Sequence, residues 1–334
     1  MSAKDISLLI PSRNEMFLKN TIEDALKNIE ADTEIIAVLD GQWADPPIAQ
    51  HERVNLIYVP QAIGQRAAQN LACKLSQAKY VMKIDAHCSF GKGFDRKMLE
   101  GFKEVGDNVT IVPIMRNLWA FDWKCMKCGK RWYQGPTPTK CIETNFKGTG
   151  KPCDSKEFKR KILWIGKERP QSTSYCFDKE PHFQYFREYA KRPEYKKQLE
   201  ETGFTETMSL QGSCFMCTRK NYWELELCDE KLGNWGNQGI EAALKTWLSG
   251  SRVLCNHKTW YAHMFRTQGG DFGFPWPNSG RETQKTKENV KNLLWSNKWS
   301  KKVRPVSWLL EKFWPVPGWT DEDLANLKKL ENKV

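Results

Sequence analysis

Two groups of side chains in this sequence have the types and spacing to hold metal ions. The first is Asp85-Ala86-His87, which closes the apolar run "YVMKI". Residues i and i+2 of an extended chain point the same way. A carboxylate and an imidazole so placed can grip one divalent ion just past a strand end. The second is Cys125-x2-Cys128, followed by Cys141 and Cys153. The first pair has the spacing of a zinc knuckle, and four thiolates complete a tetrahedral site. The segment around them has little apolar content and needs a staple, so a structural Zn²⁺ is expected there. Cys214-x2-Cys217 sits in the strand-like "LQGSCFMCT". Alternation puts those two thiols on opposite faces, which reads as core.

The elements around the Asp-His pair follow a simple pattern. "ISLLIPS", "EIIAVLDG", "VNLIYVP", "YVMKIDAH" and "NVTIVPIM" read as buried strands. Between them, "NTIEDALKNI", "GQRAAQNLACKLSQA" and "FDRKMLEGFKEV" carry apolar residues at helical spacing. Strand–helix alternation over 5–115 predicts an α/β fold with a mostly parallel, doubly wound sheet. Ligands of such sheets bind beyond the carboxyl ends of strands, and Asp40, Asp85 and His87 fall there. Residues 116–175 are basic, rich in Gly, Pro and Cys, carry little periodicity, and predict an insertion of zinc-ribbon-like character. Farther on, "GIEAALKTWLSG" predicts a helix and "RVLCNHKTWYAHMF" a pair of strands.

Charge is concentrated. The chain carries a formal +12, and between Arg116 and Arg169 stand 14 Lys/Arg against 5 Asp/Glu, a net +9. A basic surface attracts polyanions, nucleic acid first among them. Eleven cysteines, with no signal region ahead of the first strand, predict thiols or metal ligands in a cytoplasmic protein. No apolar run is long enough to span a membrane.

"LIPSRNE", "AVLDG", "GQRAAQNLACKLSQAKYVMKIDAHC", "GNWGNQGIEAALKTWLSG" and "YAHMFR" stand in the order and near the spacing found in one family. Over 5–115 and 205–266 the chain resembles the GT-A fold, family-2-like nucleotide-sugar glycosyltransferases, in particular the catalytic domain of polypeptide N-acetylgalactosaminyltransferases. The resemblance implies a UDP-sugar donor and a Mn²⁺ (or Mg²⁺) ion held by Asp85, His87 and His263. It implies that Asp40 faces the nucleoside, Arg66 contacts the donor and Arg266 faces the diphosphate. Pro11, Arg13 and Glu15 would border the nucleotide pocket. His51, His182 and His257 match no family position.

The chain also departs from its relatives. Inverting members keep a Glu-Asp pair whose Asp is the catalytic base, and Gln238 and Gly239 stand there instead. The nearest carboxylate is Glu241. Retaining members lack a dedicated base, so the resemblance implies retention, with Glu241 positioning the sugar or Trp235; a general-base role for Glu241 is the alternative. Trp235, Gln238 and Glu241 are the catalytic-side candidates. The loop 267–280, with Phe272, Phe274 and Trp276 among glycines, predicts a lid that keeps water off the donor.

This divides the chain into a nucleotide-sugar half (1–115), a basic Cys-rich insertion (116–180), an acceptor half with the lid (181–280) and a Trp/Lys-rich extension (281–334). Trp119, Trp123, Trp132 and Trp164 lie among the insertion's cations, and the extension reads "LLWSNKWSKKVRPVSWLLEKFWPVPGW". Aromatic and cationic residues together suit phosphate tracking with base stacking. They predict a DNA acceptor, a hydroxymethylated pyrimidine base that is flipped out to reach the donor. Packing of the extension's tryptophans on the catalytic domain is the competing expectation. The alternative acceptors are Ser/Thr of a protein or a cell-envelope glycan. A non-catalytic nucleic-acid-binding protein on a transferase scaffold is the reading from another class.

Overall fold

The computed structural model describes residues 4–266, 269–277 and 280–332. Its centre is built from three buried runs, β1 (Ile6–Ser12), β2 (Thr33–Asp40) and β4 (Tyr80–Ile84), with the half-exposed β3 (Val54–Val59) at the sheet edge. They pair in parallel in the order β4-β1-β2-β3. Parallel strands are covered on both faces, which is why these segments read as near-continuous apolar runs. The covering helices are α1 (Leu18–Asn28) and α2 (Gln65–Leu75). Leu18, Ile22 and Ala25 of α1 are buried at helical spacing, as are Ala68 and Ala72 of α2.

After β4 the chain turns through residues 85–87 into a short β5 (Cys88–Phe90), then α3 (Phe94–Val105). Asp85 and His87 therefore converge from a turn rather than from the pleat of a strand. The next strand, β6 (Val109–Cys125), is 17 residues long. Its first half lies in the central sheet. Its second half pairs antiparallel with β7 (Arg131–Tyr133) and β8 (Phe158–Ser172). The basic, Cys-rich segment is thus a three-stranded arm carrying the cysteine loops. Register shifts along the β6–β8 ladder break the alternation that would have revealed it.

The remaining elements close the sheet. They are β9 (Tyr175–Phe177), β10 (Phe183–Tyr185), α4 (Pro193–Thr202), β11 (Phe204–Glu206), β12 (Cys214–Thr218), α5 (Arg219–Glu224), α6 (Gln238–Leu248) and β13 (Arg252–His263). The full path is β11-β13-β6-β12-β4-β1-β2-β3. β12 runs antiparallel to both neighbours, and Cys214 and Cys217 on it are buried in the core. β13 is one strand with a bulge between Asn256 and Trp260, where two strands had been expected. Its far end delivers His263 beside β5.

Three helices follow: α7 (Gly280–Leu294), α8 (Val306–Phe313) and α9 (Asp321–Glu331). Their aromatic residues face inward. Trp295, Trp299 and Trp319 are buried in one cluster with Phe177, Trp247, Leu309 and Phe313, and Trp319 Nε1 donates to Phe177 O at 2.9 Å. Trp308 and Trp314 pack against the same cluster. These tryptophans are packed as core, not presented to a nucleic acid. Among the described residues no helix is long and apolar enough to cross a membrane.

Candidate active site

A cleft of about 480 Å³ opens over the carboxyl ends of β1, β2 and β4. Asp85, His87 and His263 meet on its floor. His87 Nε2 lies 3.1 Å from His263 Nε2, and His263 Nε2 lies 3.2 Å from Asp85 Oδ2. The third side, His87 Nε2 to Asp85 Oδ2, is 3.9 Å. An octahedral ion about 2.1 Å from each ligand puts neighbouring ligands roughly 3.0 Å apart. The triangle fits one face of such an ion. Two imidazole nitrogens facing each other with a carboxylate beside them could hold a metal ion, and His263 Nδ1 is buried with no hydrogen-bond partner.

The electrostatics match. Burial pushes the His263 pKa down to about 4, so its imidazole is neutral at neutral pH. Burial opposes the charge on Asp85, but Lys83 and the two imidazoles outweigh it and hold the carboxyl well below the usual range. Glu15 stands behind His87: its Oε2 lies 3.3 Å from His87 Nδ1 and also accepts from Arg266. A carboxylate on the far nitrogen of a ligating imidazole fixes ring orientation and tautomer. That is a more definite place than the pocket border expected for Glu15.

Lys83 was not singled out from the sequence. It is buried, lines the cleft, and donates to Asp85 and to Gly212 O. The available signal was a lone lysine inside the apolar strand "YVMKI". A lysine there needs a paired partner.

Pro11, Arg13, Asp40, Trp235, Gln238 and Arg266 also line the cleft. Arg13 has no ion-pair partner among the described residues. Asp40 spends its carboxylate on the adjoining loop, accepting from Ile63 N at 2.6 Å and Gly64 N at 3.1 Å. Gln238 is tied into the wall by Gln65 and Gln69, each at 2.6 Å.

Arg66 and Glu241 lie behind the wall instead of on it. Both are fully buried and bonded to each other. Glu241 also accepts from Lys245 Nζ at 2.8 Å and Asp229 N at 3.0 Å, and Arg66 donates to Gly236 O at 2.8 Å. This triad ties α2 and α6 to the loop that presents Trp235. Glu241 carries two cations and does not line the cleft, so the general-base alternative for it loses its geometric footing. Gly239 explains why no carboxylate replaces it. A Cβ at Gly239 would meet Leu210 O at 2.2 Å, so α6 packs too close to the 210–212 backbone for any side chain there.

The loop expected to be a lid crosses the cleft. Phe274, Trp276 and Pro277 line it, Phe274 packs edge-on to Trp235 with centroids 4.9 Å apart, and Asn14 Nδ2 donates to Pro275 O at 2.9 Å. Phe272 is buried against Phe121 of the arm. Thr267, Gln268, Asn278 and Ser279 lie outside the described residues.

At the tip of the arm Cys125, Cys128, Cys141 and Cys153 bring their sulfurs within 4.8 Å of one another. Cys125–Cys153 and Cys128–Cys141 are 3.8 and 3.5 Å apart. A tetrahedral zinc with 2.3 Å bonds spaces its sulfurs about 3.8 Å apart, so the set fits that ion. Burial alone would raise the Cys125 thiol. The N–H groups of Cys128 and Lys127 overcome it and bring the pKa down to about 6.

Residues 7–166 match the family model described as Glycosyl transferase family 2. A search of curated proteins finds no match. Among solved structures the chain is similar to "Crystal structure of GalNAc-T7 with UDP, GalNAc and Mn2+", with 15% identity and a TM-score of 0.61 over 99% of this chain and 55% of that one. It also matches "Crystal structure of S. aureus TarS 1-349" at 10% identity and a TM-score of 0.43, over 78% of this chain and 60% of that one. The chain spans little more than half the length of either structure.

Proposed function

We propose that this chain, a family-2-like glycosyltransferase of the GT-A fold, moves a sugar from a UDP-sugar to a hydroxyl acceptor with the help of a divalent ion. The observation that carries the proposal is the meeting of Asp85, His87 and His263 on the floor of the cleft. These three would hold Mn²⁺ or Mg²⁺, which supplies charge neutralisation for a departing diphosphate. That the GalNAc-T7 structure holds UDP and Mn²⁺ supports the same choice of donor and ion here.

The chain's own side chains suit the rest of the task. Arg266 and Lys83 bring positive charge to the place where leaving-group charge develops. Glu15 orients His87. Trp235, Phe274 and Trp276 cover the cleft with apolar surface and exclude water from the reacting sugar. The carboxylates of Glu15, Asp40 and Asp85 are all engaged by neighbouring groups. Retention of configuration follows as the finer reading. The acceptor oxygen bonds to the anomeric carbon as the carbon–phosphate-oxygen bond breaks on the same face. The acceptor's proton passes to the leaving phosphate.

For the acceptor we infer DNA carrying a hydroxymethylated pyrimidine base, with the enzyme working in a cytoplasm. Support comes from the basic arm beside the cleft; the tail tryptophans, being packed, no longer contribute. The test is incubation with a panel of UDP-sugars, Mn²⁺, and hydroxymethylated or plain DNA, read by nucleoside mass spectrometry. A glycosylated nucleoside from the modified DNA, absent with His263→Ala, is the expected result. UDP release with no sugar on DNA would leave the transferase and move the acceptor to protein Ser/Thr or a glycan. No UDP release from any donor would overturn the enzyme reading and favour a binding protein on this scaffold.

A further inference from the structure

The arm sets three cations abreast. Lys124 of β6 pairs with Arg131 of β7 on one flank and with Lys159 of β8 on the other. Directly paired residues of an antiparallel sheet share a face, and so do residues two apart on one strand. The same face therefore carries the next row, Tyr133, Asp122 and Lys161. Lys124, Arg131, Lys159, Lys161 and Tyr133 are exposed, while Asp122 is buried. The opposite face belongs to the interior: Phe121 and Trp123 are buried there, with Arg160 laid over both rings.

Like charges directly opposite one another weaken a sheet, and here three stand in line. No carboxylate among the described residues makes an ion pair with them. The arm's ion pairs among the described residues, Lys130–Glu143 and Lys140–Asp154, lie on the cysteine-bearing loops. None involves Lys124, Arg131, Lys159, Lys161 or Lys167. The face is also held in place. Lys167 Nζ sits 4.4 Å over the Tyr133 ring, Trp119 packs on that ring at 5.7 Å, and Trp119 Nε1 donates to Asp122 at 2.9 Å. The aromatic side chains are spent on fixing the cations, so the face offers charge rather than a surface for reading bases.

We propose that this face of the arm is a docking surface for the phosphate backbone of nucleic acid, bound without regard to sequence. The row spans two strand spacings, roughly 10 Å, long enough to lie along several phosphates of one strand, each of which rises about 3.4 Å along the helix axis. Lys161 and Lys167 extend the track along β8. The proposal deepens the DNA-acceptor reading, because it gives the polymer a place to be held while a base enters the cleft. Its measurement needs no sugar transfer.

The experiment is fluorescence anisotropy of the full chain with a labelled mixed-sequence duplex of about 20 base pairs, over about 50 to 250 mM salt. In the triple variant K124Q/R131Q/K159Q the slope of log affinity against log salt is expected to fall by about 3, at roughly 0.9 for each phosphate no longer neutralised. Affinity at about 0.1 M salt falls at least tenfold, the melting temperature stays level or rises because repulsion has been removed, and UDP release from donor alone is unchanged. Neutralising Lys147, Lys151 and Lys156 on the cysteine loops, as a control, moves the slope less. Equal slopes for wild type and triple variant would overturn the proposal, and so would tighter binding of polyglutamate than of DNA. A reduced slope in the variant with no sugar ever found on DNA would keep this surface and discard the acceptor reading.

Discussion

The cleft and the arm tip each gather metal-binding side chains, and they do so in opposite ways. In the cleft, one carboxylate and two imidazoles could hold one face of an ion's coordination sphere, in a cleft that Arg13 and Arg266 also line. At the tip, four sulfurs lie within 4.8 Å of one another, enough ligands to fill a tetrahedral site by themselves. The first set is hard to borderline and suits an ion that must also bind phosphate oxygens; the second is soft and saturated. The supports differ too. The cleft ligands stand on the turn after β4 and the end of β13, both anchored in a sheet that is buried on two sides. The cysteines stand on loops whose remaining apolar neighbours are few: Trp132, Phe146 and Phe158. An open site on a rigid frame is built to act on a ligand. A closed site on a frame with little core of its own would suit an ion that holds the frame.

That contrast is broken most severely at the tip. Cys153→Ser removes one sulfur from a site whose metal, in small zinc domains, supplies on the order of 10 kcal/mol of folding free energy. The expected outcome is loss of zinc by elemental analysis and rapid proteolysis confined to 126–157. UDP release from the donor continues, because the catalytic floor does not depend on the tip. A wild-type protein that is fully folded, protease-resistant and free of zinc would remove the structural role. His87→Ala gives the mirror image. Turnover falls by about 100-fold or more, a loss of roughly 3 kcal/mol in transition-state stabilisation. Zinc content stays the same and the melting temperature moves by no more than about 2 °C, since a side chain on the cleft floor leaves no cavity in the core. Normal turnover in His87→Ala would discard the metal assignment.

The two regions also differ in how far they could be read from the sequence. The frame of the cleft was legible because parallel strands buried on both faces have a plain signature, and Asp40, Asp85 and His87 stand where such strands end. Arg66 kept its place in the chain but not its expected direction, turning from the cleft to Glu241 behind the wall. Arg66 and Glu241 are 175 positions apart, and nothing local says that they neutralise each other behind the wall. The arm was illegible for another reason. Its partner strands are separated by the cysteine loops, half their residues are exposed, and bulges shift the register, so no period of 2 survives. The tail misled because a tryptophan among lysines has the same composition whether its ring faces the core or the solvent. Only the position of α7, α8 and α9 against the sheet decides, and it turns Trp295, Trp299 and Trp319 inward.

A histidine that belongs to neither cluster sharpens the comparison at its small end. His257 lies on β13, six positions before the ligand His263, with Nε2 2.9 Å from Thr205 Oγ1. Burial lowers its pKa from 6.5 to about 4, so the folded chain keeps it neutral where the unfolded chain would protonate it. Its contribution to stability is therefore complete above about pH 6.5 and is lost as pH falls toward 4. Linkage puts the full difference at about 3 kcal/mol. Denaturant midpoints at pH 7 and at about pH 4.5 should diverge in the wild type and lie closer together in His257→Gln. Added Mn²⁺ should leave that difference between the two proteins untouched, because no ligand is involved. If His257→Gln retained the whole acid-side loss, the buried histidine would not be its source. If Mn²⁺ altered the difference between the two proteins, His257 would be coupled to the cleft, and the division between residues that hold the sheet and residues that hold an ion would fail on β13 itself.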